Sequence, residues 1–316
     1  SRLRVLVSQI RTHRESSIVG SGHSLAMTAA SSGLSVNAYL SQRWGGITGL
    51  SLLKAIDQSL DSEAGLQELA EQLQGIHQLV LQQPRQYLLI AESERLNNFK
   101  TTMQETFTGA SSEIATASNL INFDPTLTSV NHCWTTNTQV SFCAKAYPTV
   151  ATSHADSAAL TVLGGVLRNG YLHRTIREQG GAYGGGASQD NQSGAFRFYS
   201  YRDPRISGTL DDFDNSIKWL LDKPLGADKV EEAVLGVIGS LDKPASPAGE
   251  AMQAFHGELN GRNKASIELF RNRVLGVTDA DLKRVASTYL RSEVAQTAVI
   301  TNADLATKTG LEIIAV

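Results

Sequence analysis

Apolar residues recur at helical spacing over most of the first third of the chain. From Glu63 onward Leu66, Leu69, Leu73, Ile76, Leu79 and Val80 fall on one stripe opposed by Glu68, Glu71 and Gln72, which predicts an amphipathic helix. The short apolar run 87–91, after Pro84, predicts a strand, and Ser93 followed by Glu94 predicts the capped start of another helix. A strand standing alone among helices must find partners elsewhere, because an unpaired apolar edge is costly. Residues 108–127 are rich in Ser, Thr, Ala and Asn and lack periodicity, and they read as a connection between domains.

Beyond that connection the period changes. Val140, Phe142, Ala144 and Ala146 alternate with Ser141, Cys143, Lys145 and Tyr147, the pattern of a strand with one buried face. Ala159, Val162, Leu163, Val166 and Leu167 then return to helical spacing. A hairpin is predicted next, from 182–189 through a turn at 190–194 to 195–201, with Phe196 and Phe198 on one face. Thr209 reads as the cap of a helix bearing Leu210, Phe213, Ile217, Leu220 and Leu221; Val230, Ala233, Val234, Val237 and Ile238 mark another. Thr278 with Asp281 forms a capping box ahead of Leu282, Val285, Ala286 and Leu290. A last strand is predicted over 297–300. Strands on both sides of a block of helices predict an α+β fold, an antiparallel sheet packed against helices, over residues 116–316. A partial, mostly helical domain precedes it over residues 1–115.

At 316 residues the chain has room for about two domains. Its 41% hydrophobic and 19% charged content is that of a soluble globular protein, and a net charge of -3 without a Lys/Arg block argues against nucleic acid or an anionic membrane as partner. Cys133 and Cys143 are too few for a disulfide framework and read as buried thiols in a reducing compartment. No stretch reaches the roughly 18 apolar residues of a membrane span.

Chemistry is sparse. None of the seven histidines has another His three to five residues away, and His132 with Cys133 and Cys143 matches no zinc spacing, so no metal site is expected on this chain. Gly20-Ser21-Gly22-His23 begins like a dinucleotide fingerprint but carries Leu25 where the third glycine belongs. A helix break and N-cap before Leu25, Met27 and Ala30 explains it more simply. Arg177 and Tyr183, six positions apart around Gly180 and Gly181, leave two readings open. Arg177 ends a helix with a glycine C-cap and Tyr183 opens a strand as core packing; or the guanidinium and phenol share a concave surface and polarise a carbonyl.

The run Arg177-Glu178-Gln179-Gly180-Gly181-Ala182-Tyr183-Gly184-Gly185-Gly186 resembles the C-terminal half of the pitrilysin/insulinase zinc metallopeptidases, in their presequence protease branch. The resemblance extends to Ser16 through Met27, to Trp44-Gly45-Gly46-Ile47-Thr48-Gly49-Leu50 and to Tyr199-Ser200-Tyr201-Arg202-Asp203-Pro204. It implies two halves, each of two similar α+β domains, closing around a chamber in which unstructured peptides are degraded. The N-terminal half would hold zinc on H-x-x-E-H. The C-terminal half would lend Arg177 and Tyr183 to the scissile bond, with Gly181, Ala182 and Gly184 against the substrate. This chain has no H-x-x-E-H, so the resemblance implies a fragment that begins inside the third domain and works with an N-terminal half of the same protein. Alone it would be inactive and without a cofactor. The implied compartment is the cytoplasm for a bacterial protein, and otherwise the mitochondrial matrix or plastid stroma. The alternative is a non-catalytic scaffold or chamber subunit of the same superfamily.

Overall fold

The computed structural model describes residues 2–83, 86–106, 123–222 and 224–316. The chain divides into two compact units, one built from Ser1–Asp57, Asp124–Asp242 and Glu268–Val316, the other from Gln58–Phe123 and Lys243–Ile267. The expected boundary at 115/116 and the connection over 108–122 lie outside the described residues. The first unit, however, draws on sequence from both sides of that boundary.

The first unit opens with α1 (Arg2–Ser31), α2 (Val36–Trp44) and most of α3 (Ile47–Ser59). The second unit supplies α4 (Glu63–Gln82) and α5 (Ser93–Thr106). The first then resumes with β1 (Asn131–Thr135), β2 (Phe142–Pro148), α6 (Ser157–Leu167), the π-helix Arg168–Gln179, β3 (Gly184–Asp190), β4 (Ala195–Tyr201), α7 (Ser207–Asp222) and α8 (Ala227–Leu241). After α9 (Pro247–Leu259) and the start of α10 (Lys264–Leu275) in the second unit, the first closes with α11 (Asp279–Tyr289), β5 (Gln296–Thr301), α12 (Ala303–Ala306) and β6 (Glu312–Ala315). The capping box on Thr278 and Asp281 is present as predicted.

The fold is α+β. Its six strands form one sheet in the order β3-β4-β2-β5-β1-β6. The sheet is mixed rather than antiparallel throughout, because β1 runs parallel to both β5 and β6, while β2, β3 and β4 pair antiparallel. Strand β6 was not foreseen; four residues with one partly buried position carry little periodic signal.

Helices cover both faces of this sheet, which overturns the expectation of one buried face. Six of the seven residues of β2 are buried. On one face Cys143, Tyr147, Phe196, Phe198 and Val299 pack with α6, α7 and α11 residues such as Leu163, Phe213 and Val285. On the other, Trp134, Phe142, Ala144, Ala298 and Ile300 pack against Ile18, Ala26, Ala29 and Ala30 of α1. Helix α1 runs unbroken through Gly20 and Gly22, so the expected break and N-cap are absent. Gly22 is there for proximity: a Cβ on it would lie 2.5 Å from the fully buried Phe142 ring.

Three other expectations change. Residues 87–91 are described without a strand, since no neighbour among the described residues supplies a ladder. Helix α7 starts at Ser207, two residues before Thr209, whose hydroxyl instead donates to Asp203 Oδ2 at 2.7 Å. In the second unit α4 exists as predicted, but none of its residues is buried, and Leu73, Ile76, Leu79 and Val80 are exposed. The stripe is present as a surface without a cover among the described residues.

Candidate functional site

Helix α6 runs directly into the π-helix Arg168–Gln179, a wide winding that is rare over more than a single turn and frequent at functional sites. Its buried side is fixed by Leu172 and Ile176, and by Gly170, where a Cβ would meet the Trp219 ring at 2.5 Å. Its exposed side carries His173, Arg177 and Glu178. Arg177 Nη1 lies 3.4 Å from His173 Nε2, and His173 Nδ1 lies 3.4 Å from Glu178 Oε1. A guanidinium can only donate, so this arrangement suits an imidazole with its proton on Nδ1, facing the carboxylate.

The chain then turns tightly. Gly180 has no room for a side chain because the Arg205 guanidinium lies against it, and Gly181 adopts φ +80°, in the left-handed region that favours glycine. Two backbone bonds close the turn: Gly181 N–H donates to Arg177 O at 3.2 Å, and Ala182 N–H to Ile176 O at 3.1 Å. These satisfy carbonyls that a helix end would otherwise leave without donors. Tyr183 N–H donates to Tyr201 O at 3.0 Å, which docks the turn onto β4 just before β3 begins at Gly184.

Arg177 is exposed, and Tyr183 is 67% exposed, which removes the core-packing reading of the phenol. The Tyr183 ring stands edge-on to Tyr201, with centroids 5.4 Å apart at 88°. Of the other expected site residues, Gly181 is exposed, and a Cβ on Gly184 would meet no atom within 4 Å. Ala182 has its side chain buried and its N–H committed to Ile176.

Below the turn lies a buried polar corner. Asp203 exchanges backbone hydrogen bonds with Ser141, both 2.8 Å, and its carboxylate accepts from Thr209 Oγ1 at 2.7 Å and from Arg205 N at 2.9 Å. Burial pushes the Asp203 carboxyl above the usual carboxylate range. Arg205 Nη2 donates to Asp212 Oδ2 at 2.9 Å and reaches Thr175 O at 3.4 Å, which ties α7 to the last turn of the π-helix. His173, Tyr201 and Arg205 were not singled out from sequence. Only His173 left a usable trace, four positions before Arg177.

Metal binding does not fit this chain: among the described residues no three His, Cys, Asp or Glu side chains come together as ligands. Cys133 and Cys143 are free and buried, on neighbouring sides of Val299 of β5. Burial pushes the Cys143 thiol far up, so it is not a nucleophile. Among the described residues no helix is long and apolar enough to cross a membrane.

Comparison with known proteins places this turn in a family context. A family model described as the PreP C-terminal domain matches residues 131–304, and a second, described as peptidase-associated, matches residues 1–56. The mitochondrial presequence protease of Emericella nidulans is 34% identical over 279 residues, covering 86% of this chain and 26% of its own length. That of Kluyveromyces lactis is 31% identical over 304 residues, covering 92% of this chain and 30% of its own. The chain thus spans under a third of the length of these relatives. Among solved structures, a conserved protein from Enterococcus faecalis superposes with TM-score 0.60 at 16% identity, over 94% of this chain and 67% of that one. A protease from Helicobacter pylori gives 0.54 at 15% identity, over 67% and 53%. At such identities the likeness is one of fold.

Proposed function

This chain belongs to the presequence protease family, and we propose that within its longer protein Arg177 and Tyr183 donate hydrogen bonds to a peptide carbonyl as that bond is hydrolysed. The observation that carries this reading is the closed turn. Ile176 O and Arg177 O accept from Ala182 and Gly181, so a guanidinium and a largely exposed phenol project from one rigid bend. A fixed donor costs no reorganisation when charge develops on the carbonyl oxygen, which is why such donors favour the transition state over the bound substrate. The guanidinium offers a forked, permanent positive charge and the phenol a single O–H. Gly181 and Gly184, bare of side chains beside them, allow a peptide backbone to approach.

Zinc chemistry is assigned to residues outside this chain, which assembles no ligand set among its described residues. The peptide would enter a chamber closed by the two halves of the longer protein. The mitochondrial names of the curated relatives support the mitochondrial matrix as the compartment.

The test is turnover of an unstructured peptide by the longer protein. Arg177→Ala is expected to cut kcat by on the order of a hundredfold with the chain still folded. Unchanged turnover would leave the chain a binding scaffold and end the catalytic assignment.

A further inference from the structure

An exposed tyrosine is a poor catalytic donor unless something fixes its ring. Tyr183 is anchored by its backbone to Tyr201 O, but an anchored backbone leaves the side-chain torsions free. What stands against the ring is Tyr201, edge-to-face at 5.4 Å and 88°, a geometry in which the positive rim of one ring meets the negative face of the other.

Tyr201 is itself held from three directions. The His23 ring of α1 packs on it at 4.8 Å and 64°, the Phe142 ring of β2 lies at 6.0 Å, and the Arg202 guanidinium sits 5.3 Å from its centroid. Arg202 is committed in turn: it takes φ +49°, unusual for a residue with a side chain, and its Nε donates to Val19 O on α1 at 3.3 Å. The left-handed step at Arg202 comes directly after Tyr201 and before the buried Asp203, so the corner that orients Tyr201 is pinned at both ends.

We infer that Tyr201 is a positioning residue for the proposed reaction, holding the Tyr183 phenol in its donating orientation through ring contact, with α1 as the buttress behind it. The inference rests on the proposed role of Tyr183 and adds to it the element that makes an exposed donor precise. It also gives α1, far from Tyr183 in sequence, a part in turnover. The Tyr201 hydroxyl has no part in it; the ring does.

The experiment is peptide hydrolysis by the longer protein carrying Tyr201→Leu, Tyr201→Phe, Tyr183→Phe and the double variant Tyr183→Phe/Tyr201→Leu. Loss of one aromatic pair is expected to lower kcat about three- to tenfold for Tyr201→Leu, with KM within about twofold. Tyr201→Phe, which keeps the ring, is expected to restore most of that loss. The double variant is expected to be no slower than Tyr183→Phe, because a phenol already removed cannot be misplaced. A Tyr201→Leu loss that multiplies with Tyr183→Phe, or no loss, overturns the inference while leaving the role of Tyr183 intact. No effect of Tyr183→Phe overturns the reading beneath both. Should Tyr201→Leu fail to fold, His23→Ala removes the buttress from the α1 side. It is expected to lower kcat in the same direction by a smaller factor, again without adding to Tyr183→Phe, and unchanged kcat would overturn the inference.

Discussion

Ala182 donates its backbone N–H to the carbonyl of Ile176 at 3.1 Å, so the residue before Tyr183 is tied to the residue before Arg177. The two side chains of interest therefore move as one body with the turn, and what perturbs the turn should be felt by both.

Gly181 is the most exacting position in that turn. At φ +80° an alanine would be strained by roughly 1–2 kcal/mol, and the ordinary 3.6 Å distance from its Cβ to Pro204 Cγ would add nothing. Gly181→Ala is expected to lower the unfolding midpoint and kcat together, measured by thermal denaturation and peptide turnover. Gly184→Ala, at an open position with ordinary φ, is expected to leave the midpoint nearly unchanged.

Gly22 sets the closeness of α1 to the sheet. A methyl group there gains about 1 kcal/mol in helix propensity but must displace the Phe142 ring, which is fully buried. Overpacking of this kind costs about 1–3 kcal/mol. Gly22→Ala is expected to be destabilising in urea unfolding, and a stabilised variant would show that the interface yields.

Burial holds the His23 imidazole below its ordinary pKa of 6.5, so the folded chain prefers it neutral. The unfolded chain takes up a proton first as pH falls. The contribution of His23 is then complete above pH 6.5 and is lost as pH falls from there through the folded-state value. Acidification from about pH 7.5 to about 5.5 is expected to lower the unfolding midpoint, and His23→Phe is expected to flatten that slope. Asp203 acts with the opposite sign in a lower window: its carboxyl is raised by burial, so its cost is relieved as pH falls toward 3.8.

Much of the fold was legible because pattern and burial agree where neighbours are local. The capping box at Thr278 and the hairpin of β3 and β4 rest on turn chemistry and short-range pairing, and both are present. What was misread depended on distant partners. Gly22 looked like a helix break because sequence does not show that Phe142 lies against it. Residues 87–91 have strand composition without a ladder, and β2 has strand alternation yet is buried on both faces because α1 covers the second. At the site, Arg177 and Tyr183 stood out through residue type and glycine spacing. The π-helical winding, the left-handed Arg202 and the ring of Tyr201 behind Tyr183 depend on tertiary packing and left no periodic trace.

The central claim is that Arg177 and Tyr183 serve one oxygen. A double-mutant cycle on kcat in the longer protein, with Arg177→Ala, Tyr183→Phe and both together, tests it most directly. Each single change is expected to cost on the order of a hundredfold, and the pair far less than the product of the two, because donors that share a developing charge depend on each other. Fully multiplicative losses, or singles that leave kcat unchanged, would contradict it.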